Sequence, residues 1–135
     1  MRSDTQDAGK LLLRITVGGL LLLHGIHKLR HGIGGIAEDV EGRGLPTFVA
    51  YGVFIGEVVG PLLVLAGWQT RIGALIIAIN MLFAIWLVHT SQVFTLSKVG
   101  GWGIESPGSF LLGALSVALL GAGRYSVSRG NGRFD

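Results

Sequence analysis

Four apolar stretches, separated by short polar or glycine-rich segments, set the pattern of this chain. Three of them are long enough to cross a bilayer as α-helices, since a spanning helix needs about 20 residues. The fourth is weaker, because small residues must extend its firmly apolar part, 110–120, at both ends. The pattern predicts an all-α integral membrane protein, a four-helix bundle with spans at about residues 11–29, 48–68, 72–89 and 107–123.

We expect one domain over residues 1–126, followed by a polar, mobile tail at residues 127–135. The first stretch is not expected to be a cleaved signal peptide, because no Ala-x-Ala-like site follows it. In the connection after this stretch, Ile33, Ile36 and Val40 predict a short amphipathic segment at the membrane interface.

The basic residues predict how the bundle is oriented. Four spans place both termini on one side, where seven Lys and Arg residues lie, against four on the other side. The positive-inside rule then places both termini in the cytoplasm. The expected location is the cytoplasmic (inner) membrane of a bacterial-type cell. The seven residues are Arg2, Lys10, Arg14, Arg71, Arg124, Arg129 and Arg133, and the four are Lys28, Arg30, Arg43 and Lys98.

Composition narrows the classes of chemistry and of partner. Half of the residues are hydrophobic and 14% are charged, well below the roughly 25% charged residues of ordinary soluble domains. The chain has no cysteine, which excludes disulfides, thiolate metal sites and cysteine redox chemistry. Without a dense basic stripe, the net charge of +3 does not indicate nucleic-acid binding. The expected partners are the lipid bilayer and either another protein or further copies of this chain.

One carboxylate, Glu57, lies inside the second apolar stretch. A charge at the bilayer centre costs roughly 2.5–3.5 kcal/mol on insertion scales, so a buried partner or a functional role is expected. At 1.5 Å per residue, Glu57 and Asn80 lie at similar depths, roughly 15 Å from opposite surfaces. The prediction is a polar pocket in the outer half of the bundle, formed by His24, Lys28, Glu57 and Asn80, with Glu105, His89 and Trp102 at its mouth and His89 as its weakest member.

Each pocket residue also has a structural interpretation. Glu57 is equally consistent with a carboxylate that only bonds a neighbouring helix, and His24 with a packing histidine. Lys28 could extend its ammonium group to the interface, since long basic side chains do so at helix ends. Asn80 could join two helices, and Glu105 could be an ordinary loop residue. The sequence leaves both interpretations open.

Small residues predict close helix packing. Gly52, Gly56 and Gly60 are spaced four apart and form a ridge on the second span that allows another backbone to approach. Pro61 follows directly and removes one helical hydrogen bond, which predicts a kink.

Three arginines are expected to anchor the bundle at an interface: Arg14, Arg71 and Arg124. Arg14 lies within the first span, and its long side chain is expected to extend to the headgroups.

No set of residues matches a known catalytic device, and no catalytic residue is assigned. There is no strand followed by a glycine-rich phosphate loop and no His-Glu-x-x-His sequence. His24 and His27 are spaced so that they could share a metal ion, but two histidines alone are a weak signal. No metal site is therefore predicted.

The order of several motifs resembles the DoxX family. The first span is similar to the family's first helix in LRITVG at residues 13–18 and HGIHKL at residues 24–29. The second span and the turn after it are similar in GEVVGPLLVLAG at residues 56–67 and in Thr70-Arg71. GAGRYS at residues 121–126 is similar to the family's close, although Ser126-Val-Ser stands where Ser-Leu-Asp is usual.

The resemblance implies a four-helix integral membrane protein linked to membrane oxidoreductase assemblies. These include a thiosulfate:quinone oxidoreductase subunit and a complex active in thiol and oxidant stress. The lack of cysteine argues against a direct thiol-exchange role here. The positions that the resemblance marks are Arg14, His24, Gly25, Lys28, Glu57, Gly67, Arg71 and Arg124, with Glu105 near the start of the fourth helix.

The expected function is therefore a DoxX-like membrane subunit associated with a quinone-linked oxidoreductase, in sulfur, thiol or oxidant-stress redox chemistry. A quinone is the possible ligand of the pocket, and no other cofactor is evident. One open alternative is a non-catalytic membrane anchor or assembly partner of another protein. A small proton-coupled transporter is less favoured, because no internal repeat is visible. Whether the chain is itself an enzyme stays open.

Overall fold

The computed structural model describes residues 3–135, so Arg2 of the orientation argument lies outside the described residues. Within this range, the longer helices are α1 Asp4–His31, α2 Gly34–Gly42, α3 Thr47–Ala66, α4 Thr70–Val88 and α5 Glu105–Leu120. Helices α1, α3 and α4 are long and apolar enough to cross a membrane, while α5 has 16 residues. The predicted all-helical membrane class is confirmed, but α5 falls just below the roughly 17 residues that a spanning helix needs.

Consecutive long helices run antiparallel. Arg14 of α1 reaches the carbonyl oxygens of Val64 in α3 and of Ala122 just after α5. Arg71 near the start of α4 reaches the carbonyl oxygen of Leu119 at the end of α5. We call this end of the molecule, where the described part of the chain begins and ends, the terminal end. The opposite end, formed by α2 and residues 89–104, is called the loop end.

The core fills the space between the four long elements. α4 packs along both α3 and α5, and all but one of the buried side chains in this cluster are small or branched, which allows the helices to interlock. A second cluster lies under α2, where Val40 packs with Ala50 and Leu87. The main cluster contains Val17, Leu21, Val64, Ala74, Ile77, Ala78, Met81, Ala114 and Val117.

Two of the long helices contain a wider, π-helical turn, at Ile15–Gly19 in α1 and at Ile55–Val59 in α3. The turn in α3 ends directly before Gly60 and Pro61. Proline has no N–H, so the Glu57 carbonyl loses the partner that a regular α-helix would provide. The irregularity that Pro61 predicts therefore takes the form of a π-helical turn, a feature frequent at functional sites.

Two of the three predicted ridge glycines pack inside the bundle. A Cβ atom on Gly56 would lie 2.2 Å from Cγ of Asn80, and one on Gly60 would lie 3.0 Å from Cγ1 of Ile77. Both contacts bring α3 close to α4. Gly52 differs from the prediction, since no described atom would lie within 4 Å of its Cβ. At that level α3 borders a cavity in place of a neighbouring backbone.

Arg14 is buried at the terminal end, with 1% of its surface exposed. It donates hydrogen bonds of 2.8–3.0 Å to four carbonyl oxygens. The prediction that Arg14 extends to the headgroups is therefore wrong. Helix ends leave carbonyls without intrahelical partners, and lipid offers them no donor, so a buried guanidinium is the more stable solution. The four acceptors belong to Val64, Leu65, Ala122 and Tyr125.

Two further arginines cap the ends of other helices. Arg43, in the connection after α2, donates to the carbonyl oxygens of Trp86 and Leu87 in the last turn of α4. Arg71 donates to those of Ala118 and Leu119 in the last turn of α5. Each places a positive charge at the negative end of a helix dipole, which adds to the hydrogen bonds.

The last residues, for which composition predicts a mobile tail, make defined contacts at the terminal end. Val127 donates its backbone N–H to the Ala66 carbonyl, and Arg71 donates its own to Phe134. Asp135 accepts hydrogen bonds from the backbone N–H and the hydroxyl of Thr70, at 3.0 and 3.2 Å. A carboxylate at this position satisfies free donors at the start of α4.

Replacing Arg14 with Lys should destabilise the fold. Lysine has three donors on a flexible stem and cannot reach four carbonyls, and each buried group left unpaired costs about 1–3 kcal/mol. We expect a loss of about 2–4 kcal/mol, measured by thermal or denaturant unfolding in detergent. The matched control is Arg30→Lys on the exposed surface of the same helix, with a change within about 0.5 kcal/mol. Equal stabilities of the two variants would contradict this role of Arg14.

Candidate functional site

The carboxylate inside the apolar helix α3 is paired with a lysine of α1. The Lys28 ammonium nitrogen lies 2.7 Å from both carboxylate oxygens of Glu57. The Glu57 side chain is 7% exposed and that of Lys28 is 26% exposed. Because the pair is largely removed from water, its attraction is screened less than that of a surface ion pair. A charge that would be costly alone is therefore compensated.

Gly25 allows α1 to approach α3 closely enough for this pair to form. A Cβ atom on Gly25 would lie 2.3 Å from the Glu57 carbonyl oxygen, so a side chain here would push the helices apart. Lys28 lies three residues further, on nearly the same face of α1. Pro61 has removed the usual partner of that same carbonyl. Gly25 and Pro61 thus act at the backbone of the residue whose side chain Lys28 binds.

Beside the ion pair lies a cavity of about 580 Å³. Four of the five predicted pocket residues line it: His24, Lys28, Glu57 and Asn80. Most of the remaining wall is apolar, as is usual for small-molecule sites, which place a few polar groups among apolar side chains. The apolar wall includes Leu21, Ile76, Met81, Phe83, Leu87 and Phe110.

Asn80 brings an unpaired donor to this wall. Its side-chain nitrogen is buried and has no hydrogen-bond partner among residues 3–135. The close approach at Gly56 fixes the position of the amide against α3. Buried polar groups in proteins are nearly always satisfied, by protein, water or a bound molecule. Lys28 adds a second donor, because an ammonium group has three N–H bonds and Glu57 accepts two of them.

Glu105 does not belong to the cavity. It is the exposed first residue of α5 and its carboxylate faces the loop, where a Cβ on Gly101 would lie 2.9 Å from Oε2. The next two residues, Ser106 and Pro107, line the cavity in its place. Trp102 also lies in the loop, where its indole nitrogen donates to the Val93 carbonyl at 2.5 Å. The prediction that Glu105 and Trp102 lie at the mouth of the cavity was therefore wrong. Hydropathy does not determine which way a side chain outside the long apolar stretches points.

Two polar residues of the loop end do reach the cavity. Helical spacing places His89 on the face of α4 opposite Asn80, yet His89 lines the cavity. The helix ends at Val88, and His89 has φ −119° and ψ 8°, so the spacing of 100° per residue no longer applies. Asp39 of α2 lines the cavity as well. No pattern in the sequence marks Asp39, because α2 lies outside the long apolar stretches.

The histidines of α1 lie along its last turns. The ring of His24 meets the ring of Phe110 of α5 edge to face, with centroids 5.7 Å apart. His27 and His31 stack with centroids 4.2 Å apart, nearer the loop end. Within residues 3–135, no three His, Asp or Glu side chains are grouped so that they could hold a metal ion.

Arg124 lies far from the cavity, at the terminal end. It forms an ion pair with Asp4 and donates a hydrogen bond to the Tyr125 hydroxyl at 3.1 Å. That hydrogen bond, followed by the negative charge of Asp4, raises the pKa of Arg124 above its ordinary value. The guanidinium therefore stays charged and joins the start of α1 to the segment after α5.

The fold and the Lys28–Glu57 ion pair define a multi-pass helical membrane protein with a polar cavity between its helices. The DoxX family model matches residues 9–90, from α1 to just after the end of α4, and the chain belongs to this family. The resemblance found in the motifs is thereby confirmed.

Two curated proteins are similar to this chain. The chain is 34% identical over 88 residues to "Putative oxidoreductase CatD" of Bacillus subtilis (strain 168), a match that covers 65% of each protein. It is 30% identical over 125 residues, 92% of each protein, to "Inner membrane protein YqjF" of Escherichia coli (strain K12). No solved structure matches the chain. The family, the apolar helices and the YqjF relation confirm the predicted location in a bacterial-type inner membrane.

Replacing Gly25 with Ala should separate α1 from α3. The new methyl group meets the Glu57 carbonyl, and overpacking of this kind costs about 1–3 kcal/mol. The matched control is Gly19→Ala on the same helix, where no described atom lies within 4 Å of the added Cβ. Alanine favours a helix by up to about 1 kcal/mol over glycine, so the control should be neutral or stabilising. Unfolding of both in detergent is the measurement, and a Gly25→Ala protein as stable as the control would refute the close contact.

Proposed function

We propose that this chain is the membrane subunit of a quinone-linked oxidoreductase and that its cavity holds a quinone headgroup. The observation that carries the proposal is the Lys28–Glu57 pair on the wall of the cavity, beside the unpaired amide of Asn80. Family membership and the oxidoreductase name of CatD support the redox assignment. The chemistry of the ligand is argued from the cavity itself.

The residues of the cavity fit a quinone headgroup. An oxidised quinone is flat and apolar apart from its two carbonyl oxygens, which accept hydrogen bonds. The third N–H of Lys28 is a donor for such an oxygen. Asn80 on the same cavity wall carries a buried N–H group without a partner among residues 3–135, and a rotation of its side chain would present that group to the ligand. Phe83 and Phe110 offer flat apolar surface nearby. The volume of about 580 Å³ lies within the range of roughly 300–1,000 Å³ that is usual for small-molecule sites.

Two side chains of the cavity can hold a proton next to the ligand. A bound quinone supplies two-electron chemistry that is accompanied by proton uptake or release. His24 and Glu57 both line the cavity and are of the residue types that transfer protons in enzymes. Lys28 holds the Glu57 carboxylate in one orientation through two hydrogen bonds. Glu57 is thus oriented before a ligand arrives.

The oxidation of a sulfur compound or another reduced substrate would belong to a partner protein, since this chain has no cysteine. In the alternative function, a non-catalytic membrane anchor, the glycine ridge would be the contact surface for a second chain. Gly56 and Gly60 pack against α4 of the same chain, so that surface is already used. The quinone-linked subunit is therefore the better supported of the two.

We also propose that α5, together with the small residues that flank it, completes a bundle of four spans with both termini in the cytoplasm. The antiparallel arrangement brings the start of α1 and the end of α5 to the same side. Arg14, Arg71 and Arg124 all lie at that terminal end, in agreement with the positive-inside rule.

Purified protein in lipid nanodiscs should bind a benzoquinone, and Glu57→Gln should weaken this binding about tenfold, or about 1.4 kcal/mol. The neutral amide holds Lys28 less firmly, so the donor of Lys28 is no longer fixed for the quinone oxygen. Isothermal titration or fluorescence quenching measures the affinity. The matched control is Glu105→Gln, which makes the same change outside the cavity and should leave the affinity unaltered. Equal affinities of the Glu57→Gln and wild-type proteins would count against the proposal.

The orientation is testable with single cysteines, because the chain contains none. A membrane-impermeant maleimide added to intact cells should label Ser97→Cys at the loop end and leave Asn131→Cys at the terminal end unlabelled. Permeabilised cells should label both, and the cysteine-free parent neither. The reverse pattern in intact cells would place the termini outside.

A further inference from the structure

α1 and α5 touch near the terminal end and diverge toward the loop end. A Cβ atom on Gly113 of α5 would lie 2.7 Å from Cγ2 of Val17, which places the two helices in close contact there. About two turns further along α1, the approach of Gly25 to the Glu57 carbonyl draws that helix onto α3. A helix held against α5 at one point and against α3 at the next leaves a gap on its α5 side.

This gap is a groove of about 320 Å³. Leu20 and Leu23 on its α1 side are 51% and 63% exposed, as expected for side chains that face lipid. Three residues of the groove also line the large cavity, so the two spaces are adjacent and share these side chains as a wall. The groove is lined by Leu20, Leu23, His24, His27, Ser106 and Phe110, of which His24, Ser106 and Phe110 are shared.

We propose that this groove between α1 and α5 is an entrance through which the ligand reaches the cavity from the bilayer. The ligand would be an amphiphile with a planar polar headgroup and an apolar tail. Its headgroup lies beside Lys28 and Asn80, and its tail leaves between Leu20 and Leu23 toward the lipid. The facing rings of His24 and Phe110 stand at the junction of groove and cavity. The choice of a quinone as this amphiphile rests on the proposed function.

The opposite side of the cavity is less suited to passage. There α3 and α4 are held together where Gly56 meets Asn80, at 2.2 Å for an added Cβ. Gly60 and Gly73 repeat the contact one turn further toward the terminal end, since a Cβ on Gly73 would lie 2.9 Å from the Gly60 carbonyl oxygen. At these two levels, a molecule entering between α3 and α4 would have to separate this packed seam. On the α1–α5 side at the level of His24, the contact is between two side chains, the rings of His24 and Phe110.

A first experiment needs no ligand. A nitroxide attached to Ser106→Cys, in the otherwise cysteine-free chain, reports collisions with oxygen from the lipid phase and with a water-soluble nickel chelate. The proposal predicts that oxygen relaxes this label more effectively than the chelate. A label on Ser97→Cys in the exposed loop should show the opposite preference. If the chelate is the more effective at Ser106, the groove opens to water and the proposed route is wrong.

A second experiment separates the route from the proposed function. Ser106→Trp fills the groove, and Ile79→Trp places the same bulk on the α3–α4 side, where Ile79 lines the cavity. In nanodiscs, Ser106→Trp should lower the affinity for a decyl-substituted benzoquinone at least tenfold more than that for the tail-less parent quinone, whereas Ile79→Trp should change both affinities by the same factor. The tail-less parent quinone should still bind to the Ser106→Trp protein.

The outcomes point to different errors. If the wild-type protein binds both quinones and only Ile79→Trp weakens the decyl compound, the route between α1 and α5 is wrong and the quinone site stands. Failure of the wild-type protein to bind either quinone overturns the proposed function. In that case, lipid-phase exposure of the Ser106 label would still support a membrane-side entrance for another amphiphile.

Discussion

The arrangement of the helices on the side of the loop end depends on the ion pair between Lys28 and Glu57. A carboxylate in an apolar helix needs a partner of opposite charge, and Lys28 supplies it at 2.7 Å from both oxygens. The pair requires α1 to lie directly on α3, which only a glycine at position 25 allows. Drawing α1 onto α3 opens the space toward α5, and the cavity borders the charges that hold the two helices together. The same interaction therefore fixes helix positions and provides the polar wall of the candidate site.

At the terminal end, backbone carbonyl groups also need partners that the lipid cannot supply. Carbonyls at helix ends have no intrahelical partner, and the membrane interior supplies none. Arg14 meets this need for α3 and for the segment after α5, and Arg71 meets it for α5. At the loop end, Arg43 does so for α4. The hydrogen bonds of Arg14 and Arg71 close the terminal end, whereas the cavity lies nearer the loop end.

Hydropathy was sufficient to predict the three long helices α1, α3 and α4, because length and apolar composition determine which segments can cross a bilayer. Comparison of depths was sufficient to bring Glu57 near Lys28 and Asn80, since helical rise is constant. The failures occur where the backbone leaves the helix or where acceptors come from distant segments. The position of His89 does not follow the helical spacing, because α4 ends before this residue. The Glu105 side chain points into the loop, away from the cavity. Burial of Arg14 depends on carbonyls up to 111 residues away in the chain, which no local pattern reveals.

We propose that the Lys28–Glu57 pair responds to a ligand in the cavity and is more than a link between two helices. Infrared difference spectroscopy of the protein in nanodiscs, recorded before and after addition of a benzoquinone, would detect such a response. We predict a change in the carboxylate stretching bands that disappears in the Glu57→Gln protein. A difference spectrum without carboxylate bands, or one that is identical in the variant, would show that the pair serves only to join α1 and α3.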